Sequence, residues 1–294
     1  MAQPWEGEGD APPLALTLPS LRAGSLPLPH VGEGQAAGFV KGLMPVHRII
    51  PSLLLRGGRL VKGTAFAAHR DAGAPASTAR AHNAQGADEL IVLDIDAGRE
   101  GRGPNLEAFA AIGNEIQIPM TAGGAIASVE SARAVMAAGA DKICVTSTAL
   151  DRPELLTELA EHFGRQAVVL GIDITGEDGD ARLHDHRNGT TARDGDWLAW
   201  MTEGVGRGAG EIRLMAVDRE GSRRGFDLDL FAKARAVVNV PIILEGGAGT
   251  LDHLGQAMAA GADSLALGTM LVFSDNNLVK LKRVLAQAGH PMRP

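Results

Sequence analysis

The chain has 294 residues and a formal charge of −7, with 45% hydrophobic and 21% charged residues. That supports a packed core in one large or two small domains and excludes wholesale disorder. Net acidity, 3% aromatics and no tyrosine exclude a nucleic-acid face, no run reaches the ~20 apolar residues of a membrane helix, and one cysteine, Cys144, excludes an intrachain disulfide and suits a reducing cytoplasm.

In chain order, residues 1–43 come first and hold six of the fifteen prolines, with neither helical nor strand periodicity. They lack the basic start and apolar stretch of a signal peptide and read as a disordered or mis-annotated leader, with Met44 as the expected true start and a functional tail as the alternative. From there a single domain is expected over 44–294. Its first apolar run is 49–55, followed by a hairpin-like RGGRLVKG that carries Lys62. Further runs follow at 90–95, 118–122, 142–146, 167–174, 211–217, 241–244 and 264–268. Each is short and lacks strict alternation, as in strands buried on both faces of a parallel sheet. Helical patterns lie between them, at 128–138 with Ser128 as N-cap and at 251–260.

The two halves also match one another. GADELIVLDIDAG from Gly86 aligns with GAGEIRLMAVDRE from Gly208, and MAAGAD recurs at 136–141 and 258–263, at a constant offset of 122 residues. Four βα units per half predict a (β/α)8 TIM barrel made of two duplicated half-barrels, with an open doubly wound sheet as the other possibility.

Chemistry in such a barrel belongs at the C-terminal strand ends. Two glycine loops stand there, one at Gly123, Gly124 and Ala125 and the other at Gly246 and Gly247. Each is followed after the next strand by small or hydroxyl residues, Thr146 and Ser147 in one case, Gly268 and Thr269 in the other. Glycine lets backbone N–H groups approach an anion, so the pattern predicts two phosphate cradles; a βα turn that merely needs glycine is the bland reading of either loop alone. Asp94, Asp96, Asp173 and Asp218 are acids at strand ends, candidates for proton transfer or for plain loop capping. Lys62 is placed to neutralise a substrate anion or pair with Asp94. The nine histidines show no helical metal spacing, so no metal is expected. Cys144, inside a strand run, reads as packing.

These motifs resemble the cyclase subunit of imidazole glycerol phosphate synthase. The resemblance runs from about Met44 to Pro294 and rests on RII with GGRLVKGT, DELIVLDIDA, PMTAGGAI, GADKICV, AVVLGIDI, GAGEI, the DREG element, GGAG and ADSLALGTMLVF. It implies a barrel that receives ammonia from a partner glutaminase and holds a substrate by two phosphates, without a cofactor. Carried over residue by residue, it implies that Asp173 is the general acid, that Lys62 and Asp94 are catalytic, and that Gly221 joins the phosphate contacts. It further implies an ammonia gate of Arg48, Glu89, Lys142 and Glu211, and Asp141 on the glutaminase-docking face.

Departures from the family pattern are as informative. The family's first-strand catalytic aspartate falls on Leu54, which cannot take a proton. Ala125 replaces a glycine, Thr146 an asparagine, Glu220 an aspartate and Thr269 a serine, while Glu245 stands where a small residue is usual. RIIPSLLL, LIVLDIDA and the closing LVFSDNNLVKLKRVL resemble a side branch associated with amidation of bacterial surface sugars. The leading expectation is therefore an ammonia-handling cytoplasmic barrel subunit of a glutamine-dependent sugar amidation system. Its partners would be a glutaminase, a phosphorylated or nucleotide-linked sugar, and an ATP-dependent amidotransferase. The alternative is the histidine-pathway cyclase itself; a free-standing phosphate-sugar isomerase is a third reading, against which the gate charges speak.

Overall fold

The computed structural model describes residues 46–176, 180–187, 190–191, 196–272 and 276–293. The expected leader, and Met44 with it, lie outside the described residues. The first apolar run becomes β1 (Arg48–Arg56), which turns back as β2 (Arg59–Thr64) and β3 (Ala67–Gly73), an antiparallel flap on the barrel rim. Helix α1 (Pro75–Ala84) leads to β4 (Leu90–Asp94), α2 (Leu106–Gly113), β5 (Met120–Gly123), α3 (Val129–Ala137) and β6 (Lys142–Val145). Then come α4 (Ser147–Asp151), α5 (Glu154–Phe163) and β7 (Val168–Thr175), followed by a small excursion of β8 (Arg182–Asp185) and β9 (Thr190–Thr191). The chain closes with α6 (Trp197–Arg207), β10 (Glu211–Ala216), α7 (Leu228–Val237), β11 (Ile242–Glu245), α8 (Leu251–Ala259), β12 (Ser264–Leu267), α9 (Thr269–Val272) and α10 (Leu278–Gln287).

The strands β1, β4, β5, β6, β7, β10, β11 and β12 pair in parallel in that order, and β12 returns to β1 through Arg48↔Ser264 to Pro51↔Leu267. The sheet is closed: the chain is a (β/α)8 barrel, as the run lengths predict. Helix starts follow side-chain chemistry. Ser128 accepts from Ser131 N while Ser131 Oγ accepts from Ser128 N, a reciprocal capping box on α3. Asn105, Asp196, Asp227, Thr250 and Asn277 cap α2, α6, α7, α8 and α10.

Alternation along each strand sorts side chains into two populations. Ile49, Leu53 and Leu55 of β1 join the large core between sheet and helices. Ile50, on the opposite face, joins Ile91, Ile243 and Ala266 in a small apolar cluster inside the barrel. Asp88 ties the strand ends together: it accepts from Ile49 N at 2.8 Å and from Lys282 Nζ of α10 at 2.8 Å.

His82 of α1 is buried, and burial pushes its imidazole down to about 4 from an ordinary 6.5. The unfolded chain then binds this proton more readily than the folded one. Stability from the neutral ring is complete above pH 6.5 and is lost as pH falls toward 4, by roughly 3 kcal/mol over that window. A His82→Leu chain is expected to flatten the pH dependence of the urea midpoint there. An unchanged profile would show that His82 does not carry the acid sensitivity.

A charged candidate active site at the barrel mouth

The N-terminal strand ends place four charges on the inner face. Arg48 donates to Glu89 at 3.1 Å and also pairs with Glu211, while Lys142 reaches Glu89 at 2.9 Å and Glu211 at 2.7 Å. The result is a closed ring of alternating sign, steadied by Thr121 Oγ1 donating to Glu89 at 2.6 Å and Arg48 Nε donating to Ser264 at 2.8 Å. These are the four residues expected to gate ammonia. Asp141, expected to dock a partner, is exposed beside the ring and accepts from Met120 N at 2.8 Å.

Above the ring sits the apolar cluster of Ile50, Ile91, Ile243 and Ala266, and above that a second charged layer. Arg213 of β10 is 2% exposed. It donates to Asp173 Oδ1 at 3.1 Å and to Glu245 Oε2 at 2.5 Å. Burial opposes the Arg213 charge, but the Glu245 and Asp173 carboxylates outweigh it and raise the guanidinium above its ordinary range. Burial likewise opposes the charge of Glu245, yet Arg213 and then Lys62 hold that carboxyl below the usual range.

The mouth itself is a cavity open to solvent. Leu54, Asp94, Asp173 and Arg213 line its floor; Gly124, Ala125 and the Thr146–Ser147–Thr148 stretch form one wall. Arg56, Arg99, Arg187, His69 and His186 also line it; Arg56 is paired with Asp96, and Arg187 with Asp185 and Asp151. Burial pushes the His186 imidazole below its ordinary value, and burial together with Arg56 does the same to His69. Ala125 has φ 52°. This left-handed backbone costs a non-glycine residue roughly 1–2 kcal/mol, so the loop keeps the glycine-type conformation without the glycine. The second glycine loop lines a much smaller cavity with Lys62, Glu220, Gly221, Glu245, Gly268 and Thr269. A Cβ on Gly268 would stand 2.2 Å from Lys62 Nζ, so only glycine leaves the lysine its place.

The expected residues divide among several partners. Asp173, Lys62 and Asp94 all come to the mouth end, but Lys62 does not pair with Asp94. It donates to Glu220 Oε1 at 2.8 Å. Asp94 is taken by Arg102 in a two-pronged contact at 2.5 and 3.0 Å. Asp96 pairs with Arg56 at 3.0 Å, and Asp218 accepts from Thr175 Oγ1 at 3.0 Å and Gly176 N at 2.6 Å, which makes it a tie for the end of β7. Ser147 donates to Asp185 at 2.9 Å. Burial pushes the Cys144 thiol up to about 11, in keeping with a packing role. Among the described residues no cluster of three or more His, Cys, Asp or Glu is placed to hold a metal, and no helix is long and apolar enough to cross a membrane.

Arg213 escaped sequence reasoning, as did the link it makes between Asp173 and Glu245. A signal was available. Glu211 and Arg213 are two residues apart on one strand and share a face, so a gate residue at 211 puts the arginine inside the barrel.

Comparison with known proteins gives a consistent result. The family model described as "Histidine biosynthesis protein" matches residues 48–276. The chain is 38% identical over 259 residues to the imidazole glycerol phosphate synthase subunit HisF of Beutenbergia cavernae, covering 85% of this chain and 100% of that protein. It is 41% identical over 254 residues to the subunit of the same name from Micrococcus luteus (84% and 98%) and 40% identical over 247 residues to that of Gluconacetobacter diazotrophicus (84% and 95%).

Proposed function

Because this chain belongs to the histidine biosynthesis protein family, among the relatives of the synthase subunit HisF, we propose that it is a cyclase-type barrel subunit that accepts ammonia and joins it to a phosphorylated substrate at its mouth. The observation that carries this reading is the pairing of two features on one axis. A closed ring of Arg48, Glu89, Lys142 and Glu211 sits at the N-terminal end. An open polar cavity with Asp173 on its floor sits at the other. The relatives named above carry the synthase name, and none of the three names sugar amidation. The cyclase reading, first held as the alternative, is therefore the better supported, and the sugar and ATP-dependent partners drop out of the proposal.

In this reading Gly124, Ala125, Thr146 and Ser147 hold a substrate phosphate, where backbone N–H groups and Arg99 at the rim supply the contacts. Asp173 transfers the proton, and Asp94 fixes Arg102 at the rim. A glutaminase subunit docks on the N-terminal face around Asp141 and delivers ammonia at the ring. The single buried cysteine suits cytoplasmic work.

The test is ammonia-driven turnover of the histidine-pathway ribulosyl substrate by the purified chain, at high ammonium and alkaline pH, with no glutaminase. Slow but enzyme-dependent turnover is expected, since Leu54 leaves the first strand without a base. Asp173→Asn is expected to lower it by roughly 10²-fold or more. No turnover from folded protein would sink the cyclase reading.

A further inference from the structure

Two carboxylates, a thiol and two imidazoles line the mouth. Asp94 is paired with Arg102 and Asp173 with Arg213, and burial keeps the Cys144 thiol protonated. The imidazoles are His69 and His186. Among the described residues no hydrogen bond fixes which nitrogen of His69 carries its proton. His186 differs, because a chain of polar groups stands behind it.

Arg187 grips Asp185 from Nε at 3.0 Å and Nη2 at 2.6 Å, and its backbone N–H donates to the same carboxylate at 3.0 Å. Burial opposes the charge of Asp185, but Arg187 and Ser147 outweigh it and hold the carboxyl down to about 2. An ionised carboxylate only accepts, so the Ser147 hydroxyl donates to Asp185 Oδ1, at 2.9 Å. The Ser147 oxygen then has only lone pairs to offer His186 Nδ1, at 3.2 Å. Nδ1 is therefore the donor. Burial holds the ring neutral at pH 7, so its one N–H sits at Nδ1 and Nε2 carries a bare lone pair. Among the described residues nothing hydrogen-bonds to Nε2. With its hydroxyl engaged on both sides, Ser147 serves a phosphate through its backbone N–H.

We propose that His186 Nε2 is the proton acceptor of the mouth, working where β1 offers only Leu54, and that Ser147 and Asp185 are its positioning residues. The inference rests on the proposed function for the reaction it serves. The ammonia nitrogen bonds to the keto carbon of the ribulosyl substrate, and the C=O electron pair moves to oxygen. The nitrogen, now cationic, gives a proton to Nε2. The proton passes to Asp173, which lines the same cavity and acts electrostatically on the ring, and from Asp173 to the oxygen. A neutral amino alcohol results, and both protein groups return to their starting state. Four charged or titratable groups act on the ring. Asp173 of β7 and Asp185 favour the transient imidazolium, while His184 and Arg187 of its own excursion oppose it.

Two measurements test this. Nitrogen NMR of the full chain, labelled with nitrogen-15 histidine, reads the ring directly, the His186 signals being identified by their loss in His186→Gln. A neutral ring protonated at Nδ1 is expected at pH 7, and Asp185→Asn is expected to shift it toward the other tautomer. A wild-type ring protonated at Nε2 would overturn the proposal with or without activity. The second measurement is ammonia-driven turnover. His186→Gln is expected to lower kcat roughly 10²-fold or more, with KM changed by less than about threefold. His186→Gly is expected to regain about tenfold or more with added imidazole, which a purely structural role would not allow. In the Leu54→Asp background a carboxylate serves instead, and His186→Gln is expected to cost less than about fivefold. Wild-type turnover that survives His186→Gln, or equal losses in the two backgrounds, would overturn the role of His186 and leave the proposed function standing. No wild-type turnover from folded protein would reject the proposed function, and the catalytic role of His186 would fall with it.

Discussion

Replacing Arg213 by methionine is expected to remove about 3–5 kcal/mol of folding stability, the usual cost of stranding buried charges whose partner has been deleted. The side chain is 2% exposed and is the hydrogen-bonded partner shared by Asp173 and Glu245, themselves 4% and 2% exposed. Methionine keeps most of the volume, so the loss reports charge and not a cavity. Adding Glu245→Gln is expected to restore part of the loss, since one of the two stranded carboxylates becomes neutral; the double variant should therefore be more stable than the sum of the singles, the signature of direct coupling. Urea unfolding followed by circular dichroism measures all three. A single variant within about 1 kcal/mol of wild type would mean that these charges are solvated like surface pairs. The acid limb carries a second signature. Glu245 has its carboxyl held below the ordinary range, so its contribution is present above the unfolded carboxylate pKa and is lost as pH falls through the lowered folded value. Wild type should lose this increment in acid, and Glu245→Gln should not.

Leu54→Asp is the second large expectation: a gain of roughly 10²–10⁴ in ammonia-driven turnover, the range general acid–base assistance supplies. Leu54 is 4% exposed, lies in register with Leu93 and Val61, and lines the same cavity as Asp173. A carboxylate placed there faces Asp173 across the floor, the two-acid arrangement that the family resemblance implies. Placing an unpaired polar group among Leu93 and Val61 costs about 1–3 kcal/mol, which circular dichroism and the unfolding midpoint would register alongside activity. Turnover unchanged within a factor of two, in a folded variant, would reject Leu54 as the missing element and assign the difference to the row built around Arg213 and Glu245.

The barrel was legible because its signal is local. Eight short runs without strict alternation, separated by helical patterns, define strands buried on both faces, and the runs at 118–122 and 241–244 fall within a residue or two of β5 and β11. The charge ring was legible through resemblance, and the alternation of strand faces agrees with it. Lys62 comes to the mouth, but the pair with Asp94, one of the two roles open to it, does not form. Its carboxylate comes from Glu220, 158 residues further on, and not from Asp94. Partner choice among acids that converge on one rim depends on the register between strands and on how the flap folds over, and neither leaves a trace in local spacing. The same reason hid Arg213. Each member of the row looks like an ordinary strand-end charge until closure of the sheet brings β7, β10 and β11 side by side.

The flap of β2 and β3 gives the mouth a bridge. Lys62 rides on β2, which pairs with β1 on one side and with β3 on the other, the latter pairing slipping register at two points. The ribbon is fastened to the loop after β10 by the Lys62–Glu220 pair and by Ala65 N donating to Glu220 O at 3.0 Å. One residue thus receives both fasteners, through its side chain and its backbone. The ribbon is already paired with β1 at Leu54, Leu55 and Arg56, so Glu220 joins the first barrel strand to the loop after the sixth, and a change at that one residue would be felt on two sides of the mouth at once.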